Sequence, residues 1–333
     1  MSKKGNELIC LGIEATAHSF GIGIVDEECS ILANEKNVYT SIDAGIHPRE
    51  AADLHYANAK NVLERALEKA GIGWKEIGLI AFSQGPGLGP CLRVGVVAAR
   101  SLSLIHNLPL LGVNHCVAHI EIGKKLCNCR DPIIVYASGA NTQIIGYESG
   151  RYRIYGETLD IGIGNLLDVF GRAIGLGFPA GPVIDEMYFK AKNYIELPYT
   201  VKGMDLAFSG LLTAAKQKAG KVGKEDLAFS LMHNAFAMLT EVSERAIAHT
   251  EKKELLLTGG VAASKALREM MEKMCKARKA EFNVCPREAA TDNGAMIAWL
   301  GIVEFRAGRR MKVEETVINQ KFRTDQVRVN WIK

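Results

Sequence analysis

The chain is expected to be an α/β protein built as two similar halves, and three observations predict this. Short apolar runs of strand length alternate with longer segments of helical apolar spacing. The order three strands, helix, strand, helix, strand is completed once and then begins again near Pro132. A length of 333 residues also exceeds the size at which one hydrophobic core stops growing, so two domains are expected.

In the first half, Leu8 to Ile13, Phe20 to Val25 and Ile31 to Thr40 read as an antiparallel meander, with turn residues between the runs. Pro48 to Ala70 carries Ala51, Leu54, Ala57, Val62, Ala66 and Leu67 at near-helical spacing, and Gly71 is a suitable stop. Gly78 to Ser83 is a buried strand, Gly85 to Pro90 a stiff turn, Leu92 to Ile105 a second helix, and Leu108 to Val113 a closing strand. The second half repeats the opening hairpin with Pro132 to Ala137, a small polar turn over Ser138 to Gln143, and Ile144 to Tyr147. Arg151 to Tyr155 then supplies a third strand. Helical stretches at Asn165 to Ile174 and Glu225 to Thr250 lead to the strand Glu254 to Thr258 and the pair Gly259-Gly260. Ala263 to Arg278 is a helix with Leu267, Met270, Met271 and Met274 inward, Glu281 to Cys285 a last strand, and Asn293 to Ala307 a closing helix. Two such halves predict ribonuclease-H-like domains of the actin, Hsp70 and sugar-kinase (ASKHA) type around a nucleotide cleft. The expected domains are 1–128, completed by 300–333, and 129–299. The hairpin turns Glu14 to Ser19 and Ser138 to Gln143 would face phosphates, since small residues let backbone N–H groups approach an anion. Gly259-Gly260 would let a base or sugar lie against the following helix.

Hydrophobic residues at 48% and charged residues at 23% are ordinary for a water-soluble globular protein. A formal net charge of +4 is too mild to demonstrate nucleic-acid binding, though it is compatible with it. The basic clusters, Lys216 to Lys224, Lys276 to Lys279 and Arg306 to Lys312, read as solvated helix ends or loops. Eight scattered cysteines without a CxxC pair fit reduced thiols in an intracellular protein. The polar start Met1 to Glu7 and the lack of a membrane-length apolar run predict a cytoplasmic chain without membrane contact.

Asn114-His115-Cys116-Val117-Ala118-His119 follows a buried strand and starts a helix. Residues four apart share a helix face, so His115 and His119 can aim at one point, which suits zinc or iron. Such an ion needs a further hard ligand. Asp292 is the favoured carboxylate, with capping of the closing helix as its alternative role. Tyr136 would join only as a phenolate. A zinc peptidase is disfavoured, because Cys116 stands where HExxH places its general-base Glu. A plain kinase needs no two-His metal, as magnesium prefers oxygen ligands.

Nine stretches, taken together and in order, carry a family resemblance. They are GIEATAHSFGIGIV, HPREAADLH, AFSQGPGLGPCLRVG, GVNHCVAHIEIGK, YASGANTQIIGY, GETLDIGIGNLLD, PYTVKGMDLAFSGLLTAA, LLLTGGVAAS and TDNGAMIAWLG. Across almost its whole length the chain resembles the universal tRNA threonylcarbamoyladenosine synthase family (TsaD-like, once called O-sialoglycoprotein endopeptidase). The match is to the archaeal and eukaryotic branch, the catalytic subunit of the KEOPS complex. The resemblance implies transfer of threonylcarbamoyl from threonylcarbamoyl-AMP to N6 of the adenosine 3′ of the anticodon. It implies His115, His119, Tyr136 and Asp292 as ligands of one iron or zinc ion. It also implies Tyr136, Ala137, Ser138, Gly139, Ala140, Asp168, Gly181 and Asp185 as contacts to the adenylate. Two departures stand out: Ala140 replaces the second Gly of Ser-Gly-Gly, and Ser264 replaces Asn at the end of GGVAAN. Partners implied are tRNA, a small kinase-like ATPase and small accessory subunits, the kinase being a separate polypeptide because the sequence stops at Lys333. Helix 48–70, with Ala51, Ala52, Ala57, Ala59 and Ala66, is a docking candidate, and Lys124 and Lys125 are candidates for tRNA contact. The competing class is an ATP-binding scaffold without chemistry of its own, against which His115, His119 and Asp292 argue.

Overall fold

The computed structural model describes residues 8–40 and 46–332, so the polar start Met1 to Glu7 lies outside the described residues. In chain order come β1 (Ile9–Glu14), β2 (Ser19–Val25), β3 (Ile31–Val38), α1 (Pro48–Ala70), β4 (Ile77–Gly85), α2 (Gly89–His106), β5 (Leu110–Asn114) and α3 (His115–Leu126). There follow β6 (Ile133–Ala137), β7 (Thr142–Glu148), β8 (Arg151–Glu157), α4 (Ile163–Ala173), α5 (Gly181–Tyr188), β9 (Val201–Lys202), β10 (Asp205–Leu206), α6 (Ser209–Lys218) and α7 (Lys224–Thr250). The chain closes with β11 (Glu254–Thr258), α8 (Lys265–Arg278), β12 (Glu281–Val284), α9 (Arg287–Ala290) and α10 (Gly294–Arg306). It divides into one compact unit made of Met1–Lys125 and Thr291–Lys333, and another made of Leu126–Ala290.

The first unit is organised on a five-stranded sheet in the order β3-β2-β1-β4-β5. Strands β1, β2 and β3 pair antiparallel, whereas β4 runs parallel to both β1 and β5. Its core gathers Leu11, Ile13, Phe20, Ile22, Ile80, Phe82 and Val96, with Val62 and Ala66 of α1. The second unit has the sheet β8-β7-β6-β11-β12, antiparallel across β6, β7 and β8 and parallel across β6, β11 and β12. The two sheets therefore share one strand order and one set of directions, the duplication expected from the sequence. In the second core Leu167, Phe170, Leu231, Leu239 and Leu257 meet Leu267, Met271 and Met274 of α8, while Met270 packs at its edge. Helices α5, α6 and α9 and the β9–β10 ribbon were not foreseen. They are short or lie in a polar, glycine-punctuated stretch where hydrophobic period is a weak signal.

Both boundaries differ from the expected ones. The first division falls at 125/126 rather than 128/129, and helix α10 belongs to the first unit, so the second falls at 290/291 rather than 299/300. The cause of the second difference is backbone contact. A Cβ placed on Gly23 would lie 2.0 Å from Ala295 N, and one on Gly12 would lie 2.2 Å from Ala298 N. Two glycines facing each other across β1 and β2 thus let the helix settle directly on the sheet. The tail after α10 completes the same unit. Arg100 donates to Thr316 Oγ1 at 2.7 Å, Asn114 to Phe322 O at 2.9 Å and Gln84 to Val317 O at 2.7 Å. Among the described residues, no helix is long and apolar enough to cross a membrane.

Candidate metal centre

His115 is the first residue of α3, directly after the fully buried β5. Asn114 starts the helix: its Oδ1 accepts from Val117 N at 3.0 Å, the bond expected of a polar residue before the first turn. One turn later His119 lies on the same face, with ring centroids 4.8 Å apart and the rings nearly perpendicular. Asp292 arrives from the other end of the sequence on the segment leading into α10. That segment is held to β3 by Lys36 Nζ, which donates to Thr291 Oγ1 at 3.0 Å and to the Asp292 carbonyl at 3.1 Å.

The capping alternative for Asp292 fails, because its neighbour does that work. Asn293 is the N-cap of α10 and accepts from Met296 N at 3.0 Å. The Asp292 carboxylate instead turns toward the histidines, with Oδ1 3.2 Å from His119 Nε2 and 3.5 Å from His115 Nε2. One ligand atom from each of the three residues lies within 4.8 Å of the others, the one such group among the described residues. His115 and His119 are only 5% and 1% exposed. His115, His119 and Asp292 are thus brought together within the first unit alone.

Two residues at this centre were not singled out from the sequence. Glu14, at the end of β1 and 0% exposed, places Oε2 2.9 Å from His115 Nδ1. His18, in the following turn, has Nδ1 4.0 Å from Asp292 Oδ2. The turn expected to face phosphate thus sends its acidic side chain against a histidine. The sequence signal was a lone carboxylate ending an apolar strand, and nothing local says what it will meet.

Burial acts against charge at His115, His119 and Asp292, yet the neighbouring charges win at His115 and Asp292. Burial alone would lower His115, but Glu14 and Asp292 hold its imidazole up to about 9. Burial dominates at His119 and pushes it below the usual histidine range despite Asp292. Partial burial would raise Asp292, but His115, His119 and His18 hold it well below the ordinary carboxylate range. Two carboxylates with imidazoles between them favour positive charge at the centre, which a proton or a cation can supply.

The other expected residues are in the second unit. Tyr136 is 1% exposed near the end of β6, opposite Thr258 of β11. After Ala137 the turn closes with Ser138 N donating to Asn141 O at 2.8 Å. The Ser138 and Gly139 carbonyls accept from Gly164 N and Asn165 N, each at 3.0 Å, which fixes the start of α4 beneath the turn. Gly139 and Ala140 are left exposed at its tip, so the extra methyl of Ala140 meets solvent. Gly259, at φ 92°, passes so close to β6 that a Cβ would lie 2.3 Å from Ala137 O, whereas around Gly260 there is open space. The carboxyl ends of two adjacent parallel strands, β6 and β11, thus carry small residues side by side. That is where open α/β sheets bind ligands.

Asp168 accepts from Ala180 N at 2.8 Å and so holds the chain entering α5, whose first residue is Gly181. Asp185 accepts from Ser264 Oγ, from Lys265 N at 3.1 Å and from Ala266 N at 3.3 Å. Ser264 Oγ in turn accepts from Leu267 N at 3.3 Å, as the N-cap of α8. The structure therefore gives Asp168, Asp185 and Ser264 scaffolding bonds of their own. Lys124 is corrected as a surface residue: it is 8% exposed, with Nζ 3.9 Å from Glu121, while exposed Lys125 lies over Trp299. On α1, Ala51 and Ala66 are fully buried and Ala57 is exposed, so much of that alanine face serves its own unit.

Residues 29–299 match the family model described as TsaD, tRNA N6-adenosine threonylcarbamoyltransferase. The chain belongs to that family. Threonylcarbamoyltransferases of the same name from Thermococcus sibiricus and Thermococcus kodakarensis are 54% and 55% identical over 326 residues, covering 97% of this chain and 100% of each relative. A probable bifunctional tRNA threonylcarbamoyladenosine biosynthesis protein from Methanocaldococcus jannaschii is 52% identical over 98% of this chain, which spans 61% of that longer protein. Two solved structures share the fold at 13% identity. HypF of T. kodakarensis has TM-score 0.65 over 90% of this chain and 48% of its own, and component A of Acidaminococcus fermentans (R)-2-hydroxyglutaryl-CoA dehydratase has TM-score 0.57 over 89% and 98%. The two-domain ASKHA-type class read from the sequence agrees with both.

Proposed function

We propose that the chain, as a member of the threonylcarbamoyltransferase family, is an acyltransferase that modifies N6 of an adenosine in tRNA with the help of one bound metal ion. His115, His119 and Asp292 would hold the ion. Their ligand atoms gather within 4.8 Å, from one helix and a segment 173 positions downstream of His119, and this convergence is the observation that carries the reading. The donor set suits the group: two imidazoles and one hard carboxylate fit iron or zinc. Tyr136 is retained as a proposed fourth, phenolate ligand.

The reaction makes one carbon–nitrogen bond. The N6 amine attacks the carbamoyl carbon of threonylcarbamoyl-AMP, the bond from that carbon to the phosphate oxygen breaks, AMP leaves and the amine loses a proton. When bound, the ion supplies Lewis-acid polarisation of the carbonyl. The chain's own part is to hold the two reactants in place, because the exocyclic amine is a weak nucleophile. Tyr136, Ala137, Ser138, Gly139, Ala140, Gly259 and Gly260 are proposed as the adenylate contacts. Asp168, Gly181, Asp185 and Ser264 would contribute by shaping the α5 and α8 termini beside them. A cytoplasmic location and work alongside a small kinase-like ATPase and accessory subunits belong to the same proposal.

Asp292→Ala and His115→Ala are expected to lower tRNA modification by more than about 100-fold. Even outer-shell losses cost up to that much. Circular dichroism should show both variants folded. Full modification by the double variant would remove the metal from the reading and leave the scaffold alternative, in which nucleotide binding persists without chemistry. Tyr136→Phe separates its ligand role from packing, since only the oxygen is lost.

A further inference from the structure

A buried carboxylate is costly unless its oxygens are bonded, and both oxygens of Glu14 are. Oε1 accepts from Thr16 N at 2.8 Å and from the Thr16 hydroxyl, while Oε2 faces His115 Nδ1 at 2.9 Å. The main chain around it is tied as well, with Ala15 N donating to Ser83 Oγ at 3.0 Å on the neighbouring β4. A carboxylate at Nδ1 keeps the ring proton on that nitrogen and directs the lone pair of Nε2 away from it. In His115 that second nitrogen faces Asp292, as does Nε2 of His119. Both imidazoles therefore present the same nitrogen to the centre, and the other nitrogen of His115 faces a fully buried acid at the end of β1.

We propose that Glu14 is a positioning residue of the metal centre: through His115 Nδ1 it sets the tautomer and aim of the ring, and Thr16 holds Glu14 in place. This rests on the reading that His115, His119 and Asp292 bind a divalent cation. The turn between β1 and β2 then supports the cation site rather than serving only as a phosphate loop.

The purified full chain is titrated with Co(2+) alone, reading affinity and visible absorption. Wild type is expected to bind one cobalt, and Asp292→Ala to lose it. Glu14→Ala should bind cobalt about 10- to 100-fold more weakly with an altered spectrum, the usual consequence of removing an outer-shell partner. Glu14→Gln, whose amide oxygen can still accept from Nδ1, should recover most of that affinity. Unchanged affinity and spectrum in folded Glu14→Ala would overturn the inference while leaving the metal reading intact. No cobalt bound by wild type would overturn both. Should Glu14→Ala not fold, 15N spectra of the zinc-loaded wild type decide instead. His115 is expected to be protonated at Nδ1 and coordinated through Nε2, and the reverse would refute the proposal.

Discussion

Ser264 shows how much one hydroxyl can hold. It donates to Asp185 and accepts from Leu267 N, joining α5 to the first turn of α8. Ser264→Ala removes both bonds and is expected to cost about 1 kcal/mol, the usual value of an N-cap, read as a lower denaturant midpoint in urea. Glu304 is a residue whose effect depends on pH. Burial raises its carboxyl to about 7 from an ordinary 4.5, although Arg309 pulls it down, and the nearby Glu121 adds to the rise. The folded chain thus holds a proton there that the unfolded chain releases at lower pH. The stability this group contributes is full below about 4.5 and is lost as pH rises through about 7. Melting curves of Glu304→Gln should lose that part of the pH dependence, and an identical profile would show that the group does not titrate in this window.

At the scale of elements, α10 and α3 build the metal centre by different means. Helical periodicity alone puts His115 and His119 on one face, so their pairing was readable from four-residue spacing. Asp292 reaches them only because α10 lies against the glycines of β1 and β2. Gly23→Ala would push Ala295 away and carry Asp292 with it. A destabilisation of about 1–3 kcal/mol is expected, as for other overpacked contacts, with weaker cobalt binding. Retention of wild-type cobalt affinity would mean that the carboxylate is positioned by Lys36 and the Asn293 cap instead.

For the whole molecule, the first unit is discontinuous in sequence and is finished by its tail. Arg100, Asn114 and Glu121 bond to Thr316, Phe322 and Trp331 respectively, across more than two hundred positions. Deleting 313–333 should lower the unfolding temperature of the first unit and leave the transition of the second, continuous unit in place. Calorimetry would show this as two separated transitions, and a single unshifted one would contradict it.

Hydrophobic period, turn residues and the order of runs by themselves determined the paired α/β halves, because strand and helix patterns are local. They likewise determined the histidine pair, since i and i+4 meet on any helix. What only the tertiary structure decided was the company these residues keep. Whether Asp292 capped a helix or faced the histidines depended on Asn293 taking the cap. Whether Glu14 faced phosphate or His115 depended on the bonds from Thr16 and the tie of Ala15 to Ser83, and to which unit α10 belonged depended on its backbone meeting Gly12 and Gly23, far away in sequence. Such contacts are set by three-dimensional close packing, which leaves no periodic trace in the chain.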